Sequence, residues 1–146
     1  MGVDVQVETE ILRPVEVVAA YAGDPGNAPE WYTNIRSVQW RTEPPVRVGS
    51  QIDFVAHFLG RRIAYTYEVT ELEPGRRLVM ETAQGPFPMR TAYTWGETPG
   101  GTHMTLRNTG EPSGFAKVTA PVMELAMRRA TTKDLARLKS LLEARA

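Results

Sequence analysis

The chain holds 146 residues, 42% of them hydrophobic and 23% charged, which fits one globular domain over residues 1–146 and excludes a disordered chain. Its 17 basic and 17 acidic side chains cancel, so nothing electrostatic points to nucleic acid or an anionic membrane as a partner. Cysteine is absent, which excludes a disulfide framework, a thiolate metal site and a cysteine nucleophile.

Val3, Val5, Val7 and Ile11 alternate with Asp4, Gln6, Glu8 and Glu10, the pattern of a half-buried strand. Pro14 then opens PVEVVAAYAG as a short helix, with proline tolerated in the first turn and Gly23 as a stop. In DPGNAPEWYTNI, Asn27 offers an N-cap and Pro29-Glu30 a first turn, so Trp31 and Tyr32 ride a second short helix. Strand-like runs follow near 35–43, 50–59, 62–73, 76–84, 89–97 and 102–110. From Ser113 to Ala146 the spacing turns helical, with Pro121 either kinking the helix or marking its true start. A strand, two short helices, a strand meander and a terminal helix predict an α+β fold.

Hairpin loops fix which residues face each other, so the turns predict a register. Gly60-Arg61 as a two-residue turn places Phe58 opposite Ile63, Phe54 opposite Tyr67 and Ile52 opposite Val69. Pro74-Gly75 places Val69 opposite Met80 and Tyr67 opposite Thr82. The turn through Gly85-Pro86-Phe87-Pro88 places Thr82 opposite Thr91 and Met80 opposite Tyr93. The loop 98–101 places Tyr93 opposite Leu106 and Thr91 opposite Asn108. One row of the inner face then reads Ile52, Val69, Met80, Tyr93, Leu106, and its neighbour reads Phe54, Tyr67, Thr82, Thr91, Asn108. Buried hydroxyls and amides without partners cost about 1–3 kcal/mol each. The polar tips of the second row therefore either bond one another as a cross-strand ladder or floor an otherwise apolar pocket.

The order of elements, the NAPEWYTNI segment with its tryptophan and the closing DLARLKSLLE helix resemble the START/Bet v 1-like (SRPBCC) superfamily, in its polyketide cyclase/dehydrase branch. The resemblance runs over the whole chain. It implies a helix-grip fold, in which a curved seven-stranded antiparallel sheet with two short helices wraps a long C-terminal helix. It also implies a deep cavity between the sheet and that helix, used for lipids, polyketides or related apolar compounds. No single reaction follows, because the superfamily mixes carriers, cyclases, sensors and co-chaperone-like proteins, and a fold does not fix a function.

In such a fold Trp31 and Tyr32 sit beside the cavity mouth, as structural anchors or as ligand contacts. Met123 and Met127, four apart on one helix face, suit an adaptable pocket as well as an ordinary core. Tyr65, Tyr67 and Tyr93 face inward by the pairing and are the candidates to orient a ligand or polarise a carbonyl. Phe54, Met80, Thr82, Thr91 and Asn108 complete the expected ligand-binding set. His57 and His103 fall on the outer face and read as surface histidines rather than general bases. Glu71 alone among the strand acids has inward parity, at a strand end, while Asp134 with Lys133 and Arg137 reads as a charged helix face. Two distant histidines give no metal site, and no phosphate loop or nucleophile elbow is present. Neither metal nor cofactor is expected, and no catalytic residue is assigned.

The leading function is binding of a hydrophobic or aromatic small molecule, lipid- or polyketide-like, in that cavity. One alternative is a polyketide cyclase/dehydrase-type enzyme in which tyrosines assist proton transfer. Another is a protein-interaction module without an open pocket, using an outer patch of Val55, Leu59, Leu72 and Val79. The opening MGVDVQVETEI lacks the basic-then-apolar pattern of a signal peptide, and no apolar run approaches the ~20 residues of a bilayer span. A cytoplasmic chain without membrane insertion is expected, and a homodimer stays open.

Overall fold

The structure is a computed structural model, described over residues 2–115 and 118–145. Strand β1 (Val3–Ile11) turns Val3 and Val5 into the interior and Asp4 and Gln6 to solvent. Pro14, at φ −58°, leads into helix α1 (Val15–Ala22), which ends where the Gly23 N–H donates to the Ala19 carbonyl at 2.8 Å. The second helix starts differently from the expectation. Asp24 Oδ1, not Asn27, accepts the capping bond, from the Gly26 N–H at 2.9 Å, and a 3-10 turn over Pro25–Asn27 runs straight into α2 (Ala28–Trp31). Asn27 Nδ2 instead donates back to the Tyr21 carbonyl at 3.1 Å.

Six further strands follow: β2 (Ile35–Trp40), β3 (Gln51–Phe58), β4 (Arg61–Glu73), β5 (Arg77–Gln84), β6 (Met89–Thr98) and β7 (Gly101–Gly110). With β1 they form one antiparallel sheet in the order β1-β7-β6-β5-β4-β3-β2. Helix α3 (Ala120–Glu143) carries Pro121 in its first turn. The proline marks the true start rather than a kink, because the first helical N–H groups have no intrahelical partner to lose. The helix expected from Ser113 thus begins later, and Ala116 and Lys117 of that expectation lie outside the described residues.

The sheet curls around α3 as a helix-grip fold. Strand β1 lies at one edge, and α3 runs along it. The Asp4 N–H donates to Glu124 and the Leu12 N–H to Glu143, both at 2.9 Å, while Arg128 and Lys139 donate to the carbonyls of Gln6 and Glu10 at 2.9 and 2.8 Å. Edge groups that would otherwise template another strand are satisfied in this way. Burial divides the helix in two. Leu135, Leu138 and Leu142, each at most 2% exposed, fill a solid core with Ile11, Val18, Ile52, Val69, Leu78, Met104 and Leu106. Full burial of one such side chain stabilises by about 1.5–3 kcal/mol. The earlier turns of α3, from Met123 to Asp134, stand over open space.

Tyr67, Met80, Tyr93 and Leu106 all face α3 as expected, but two hairpin registers differ. β3 meets β4 with Phe58 opposite Arg61, Phe54 opposite Tyr65 and Ile52 opposite Tyr67, two residues away from the expected pairing. The turn is Leu59-Gly60, with φ of 50° and 77°, because a two-residue turn that follows strand twist needs both central residues left-handed. A leucine there is uncommon, so the sequence hides this turn. β5 meets β6 with Met80 opposite Thr91 and Leu78 opposite Tyr93, again shifted by two. Pairing stops at Glu81 and Arg90; beyond it Pro86 and Pro88 have no N–H to extend the ladder. A shift of two keeps every side chain on its face, where a shift of one would invert the strand.

The other hairpins pair as expected, with Tyr67 opposite Thr82, Val69 opposite Met80, Tyr93 opposite Leu106 and Thr91 opposite Asn108. A bulge between Val69 and Glu71 reverses parity beyond it. Glu71, expected inward, therefore points out and pairs with Arg77 at 2.8 Å, while Leu72, expected outward, packs against the core. Val79 is also fully buried, so the outer apolar patch expected from Val55, Leu59, Leu72 and Val79 does not form.

Candidate functional site

Between the sheet and the first half of α3 lies a cavity of about 160 Å³. One water needs roughly 10–15 Å³ on this scale, so there is room for a small organic molecule. Strands β3 to β7 wall it with Phe54, Ile63, Tyr65, Leu78, Met80 and Tyr93, and α3 roofs it with Met123, Met127, Ala130 and Thr131. The apolar wall follows from period-two alternation along each strand, and the roof from helical spacing along one face of α3.

Polar groups enter this wall in two places. Tyr67 donates to Thr91 Oγ1 at 2.8 Å, and Thr91 donates in turn to Asn108 Oδ1 at 2.7 Å, a chain that crosses from β4 to β7. Elsewhere the hydroxyls of Tyr32 and Tyr93 meet at 2.5 Å. Burial pushes the Tyr67 phenol up to about 12 despite the Thr91 bond, and pushes Tyr32, Tyr65 and Tyr93 well up too. All four are therefore neutral at physiological pH and act as hydrogen-bond partners, not as anions.

Asp134 brings a carboxyl to the cavity lining, and it corrects the expectation of a charged helix face. Its residue is 3% exposed, and it lines the same space as Tyr32 and Tyr93, whose phenols feel its charge. Burial drives its carboxyl up to about 6, against the lowering effect of hydrogen bonds from the Thr33 N–H and hydroxyl. Such a group changes charge close to neutral pH inside an apolar site.

A family model described as polyketide cyclase / dehydrase and lipid transport matches residues 2–143. The chain belongs to this family. Among solved structures, a protein of Thermus thermophilus is similar with a TM-score of 0.83 at 18% identity, covering 98% of this chain and 99% of that one. The Zhui aromatase/cyclase of a Streptomyces species gives 0.80 at 14% identity, over 99% of this chain and 96% of that one. A START superfamily protein of Mycobacterium smegmatis gives 0.73 at 16% identity, over 97% and 95%. At these identities the likeness shows the fold. No curated protein matches the chain.

Within this polyketide cyclase / dehydrase and lipid transport fold, the sequence-derived residues are not all brought to the cavity. Tyr32, Phe54, Tyr65, Tyr67, Met80, Thr91, Tyr93, Asn108, Met123 and Met127 reach it. Trp31 and Thr82 do not. Trp31 is fully buried behind Tyr32, with ring centroids 4.2 Å apart, and Thr82 Oγ1 is engaged by the backbone N–H and carbonyl of Met89 at 2.9 and 3.1 Å. His57 is exposed, and His103 lies 3.7 Å from Glu8 on the outer face. Among the described residues no group of three or more His, Asp and Glu is arranged to hold a metal ion, and no helix is long and apolar enough to cross a membrane. The cavity-lining residue whose placement sequence reading missed is Asp134. Its signal was helical spacing, since it falls three and seven residues after Thr131 and Met127, on the cavity face.

Proposed function

We propose that this protein binds a hydrophobic or aromatic small molecule, lipid- or polyketide-like, in the cavity between the sheet and α3. The observation that carries the reading is an apolar-walled space of about 160 Å³ with a few hydrogen-bonding groups set into its wall. Apolar contact with Phe54, Tyr65, Met80, Met123 and Met127 supplies affinity at ~25 cal/mol per Å² buried. Tyr32, Tyr67, Thr91, Tyr93 and Asn108 supply orientation. The Asn108 carbonyl oxygen is engaged by Thr91, so its amide N–H groups are what it offers a ligand acceptor. Native mass spectrometry after mild purification, with a thermal-shift screen of lipids and polyphenols, tests this. A bound mass and a raised Tm are expected. A Tm unmoved by every apolar class overturns it.

A second reading is a polyketide cyclase/dehydrase-type reaction in the same cavity, and Asp134 favours it. A buried carboxyl pushed up to about 6 exchanges a proton near neutral pH, where general acid–base groups work best. The Tyr32 and Tyr93 hydroxyls beside it suit a developing oxyanion on a folded ketone chain. With a poly-β-ketone thioester as substrate, Asp134→Asn and Tyr93→Phe should lower kcat far more than they raise KM. Unchanged turnover in both variants removes this mechanism.

A further inference from the structure

Three phenylalanines line one end of the cavity, and one arginine outside the lining stands against two of them. Phe58 ends β3, Phe87 sits in the β5–β6 loop and Phe115 follows β7; all three line the cavity, and Phe115 meets each of the others with ring centroids 6.1 Å apart. Arg61, the first residue of β4, places its guanidinium carbon 5.2 Å from the Phe115 centroid and 5.8 Å from that of Phe87. It also donates from Nη1 to the Ser113 carbonyl.

These contacts fix the guanidinium without neutralising it. Among the described residues no carboxylate lies within pairing distance of Arg61, whereas Arg41, Arg77 and Arg107 each face an Asp or Glu at 2.6 to 2.8 Å. Aromatic rings hold a guanidinium by cation–π attraction and leave N–H donors free at its edge. That edge is a planar fork which matches a carboxylate, sulfonate or phosphate.

We propose that Arg61 is the docking point for the anionic end of the cavity's ligand, so that the protein takes amphiphiles with an oxyanion at this end and an apolar body within. This rests on the cavity-binding reading above. The interior supports the same orientation. Asp134 stands eleven residues beyond Met123 on α3, roughly 16 Å along the helix, and Met123 shares the Phe115 end of the space. A carboxylate at the inner end repels a second anion, and burying an anion without a partner costs several kcal/mol in real proteins. The head group stays at the Arg61 end, and the apolar body fills the room under Met127 and Tyr93.

The test uses two fluorescent dyes of the same shape, anilinonaphthalene sulfonate and its uncharged parent N-phenylnaphthylamine, titrated into the full-length protein. The readout is the ratio of their affinities, so a general loss of binding does not imitate the effect. Arg61→Gln should lower that ratio about tenfold, the size of one charge-assisted interaction, and Arg61→Lys, which keeps the charge, should retain most of it. A ratio unchanged in Arg61→Gln reduces Arg61 to a clamp on the chain after β7 and overturns the proposal while cavity binding stands. Wild-type protein that brightens neither dye overturns the cavity reading itself.

Discussion

Asp134 on α3 accepts two hydrogen bonds from Thr33, from its N–H at 2.9 Å and its hydroxyl at 3.1 Å, and so ties the terminal helix to the link between α2 and β2 at the cavity wall. The carboxyl is raised by burial to about 6 from an ordinary 3.8. Between those values the native state keeps a proton that the unfolded chain has lost. Stability from this group therefore falls as pH rises through the window, and the loss is complete above the native pKa. A shift of about two units corresponds to roughly 2–3 kcal/mol. Asp134→Asn removes the titration, so its stability relative to wild type should climb by that amount from pH ~4 to pH ~7 in urea denaturation. A difference that stays flat across the two conditions would sink the assignment.

The Tyr67–Thr91–Asn108 chain predicts coupling. Thr91→Val keeps the shape of the middle residue and deprives both ends of their partner, which should cost about 1–3 kcal/mol. Tyr67→Phe alone should cost about 1 kcal/mol. Once either is made, the other has less left to break, so the double variant should fall short of the sum by at least 0.5 kcal/mol. Chemical denaturation of the four proteins checks this, and strict additivity would show that the chain does not act as a unit.

Much of the fold was legible because period-two alternation is robust to the errors that turns introduce. Tyr67, Met80, Tyr93 and Leu106 face inward whether a hairpin slips by two or not. Which of them are neighbours was not legible, since it depends on Leu59 adopting a positive φ and on where Pro86 and Pro88 stop the ladder. Glu71 and Leu72 exchanged sides at one bulge, a feature that leaves no local mark in the sequence. Asp134 was obscured by Lys133 and Arg137, which are exposed while Asp134 is buried on the same helix. The aromatic end of the cavity escaped notice because Phe87 and Phe115 stand outside the strands, where alternation says nothing.

Trp31 and Tyr32 are adjacent in sequence and should separate in function. Trp31 is fully buried, with its ring centroid 4.2 Å from Tyr32 and 5.8 Å from Tyr93, and it lies off the cavity. Trp31→Ala should cost about 3–5 kcal/mol of stability through the void it leaves. Tyr32→Phe removes one hydroxyll partner of Tyr93 and should cost only about 1 kcal/mol. The order reverses for ligand. Tyr32→Phe should weaken a phenolic ligand severalfold in calorimetry, whereas the conservative Trp31→Phe should leave its affinity within about twofold once the protein is folded. Equal effects on affinity would return Trp31 to the cavity wall.

Ala130 tests whether the space under α3 is open in solution. It lines the cavity between Met127 and Asp134, and leucine is nearly as good a helix former as alanine. If the void of about 160 Å³ is there, Ala130→Leu fills part of it without moving a wall, and stability should rise by about 0.5–2 kcal/mol. If α3 and the sheet close the space, the same change overpacks a core and stability should fall by about 1–3 kcal/mol. The two outcomes differ in sign, so a melting curve decides. The ligand should then report the reverse: filling the void removes volume that the ligand needs, so its stabilising shift in Tm should shrink in the variant even as the unliganded protein melts later.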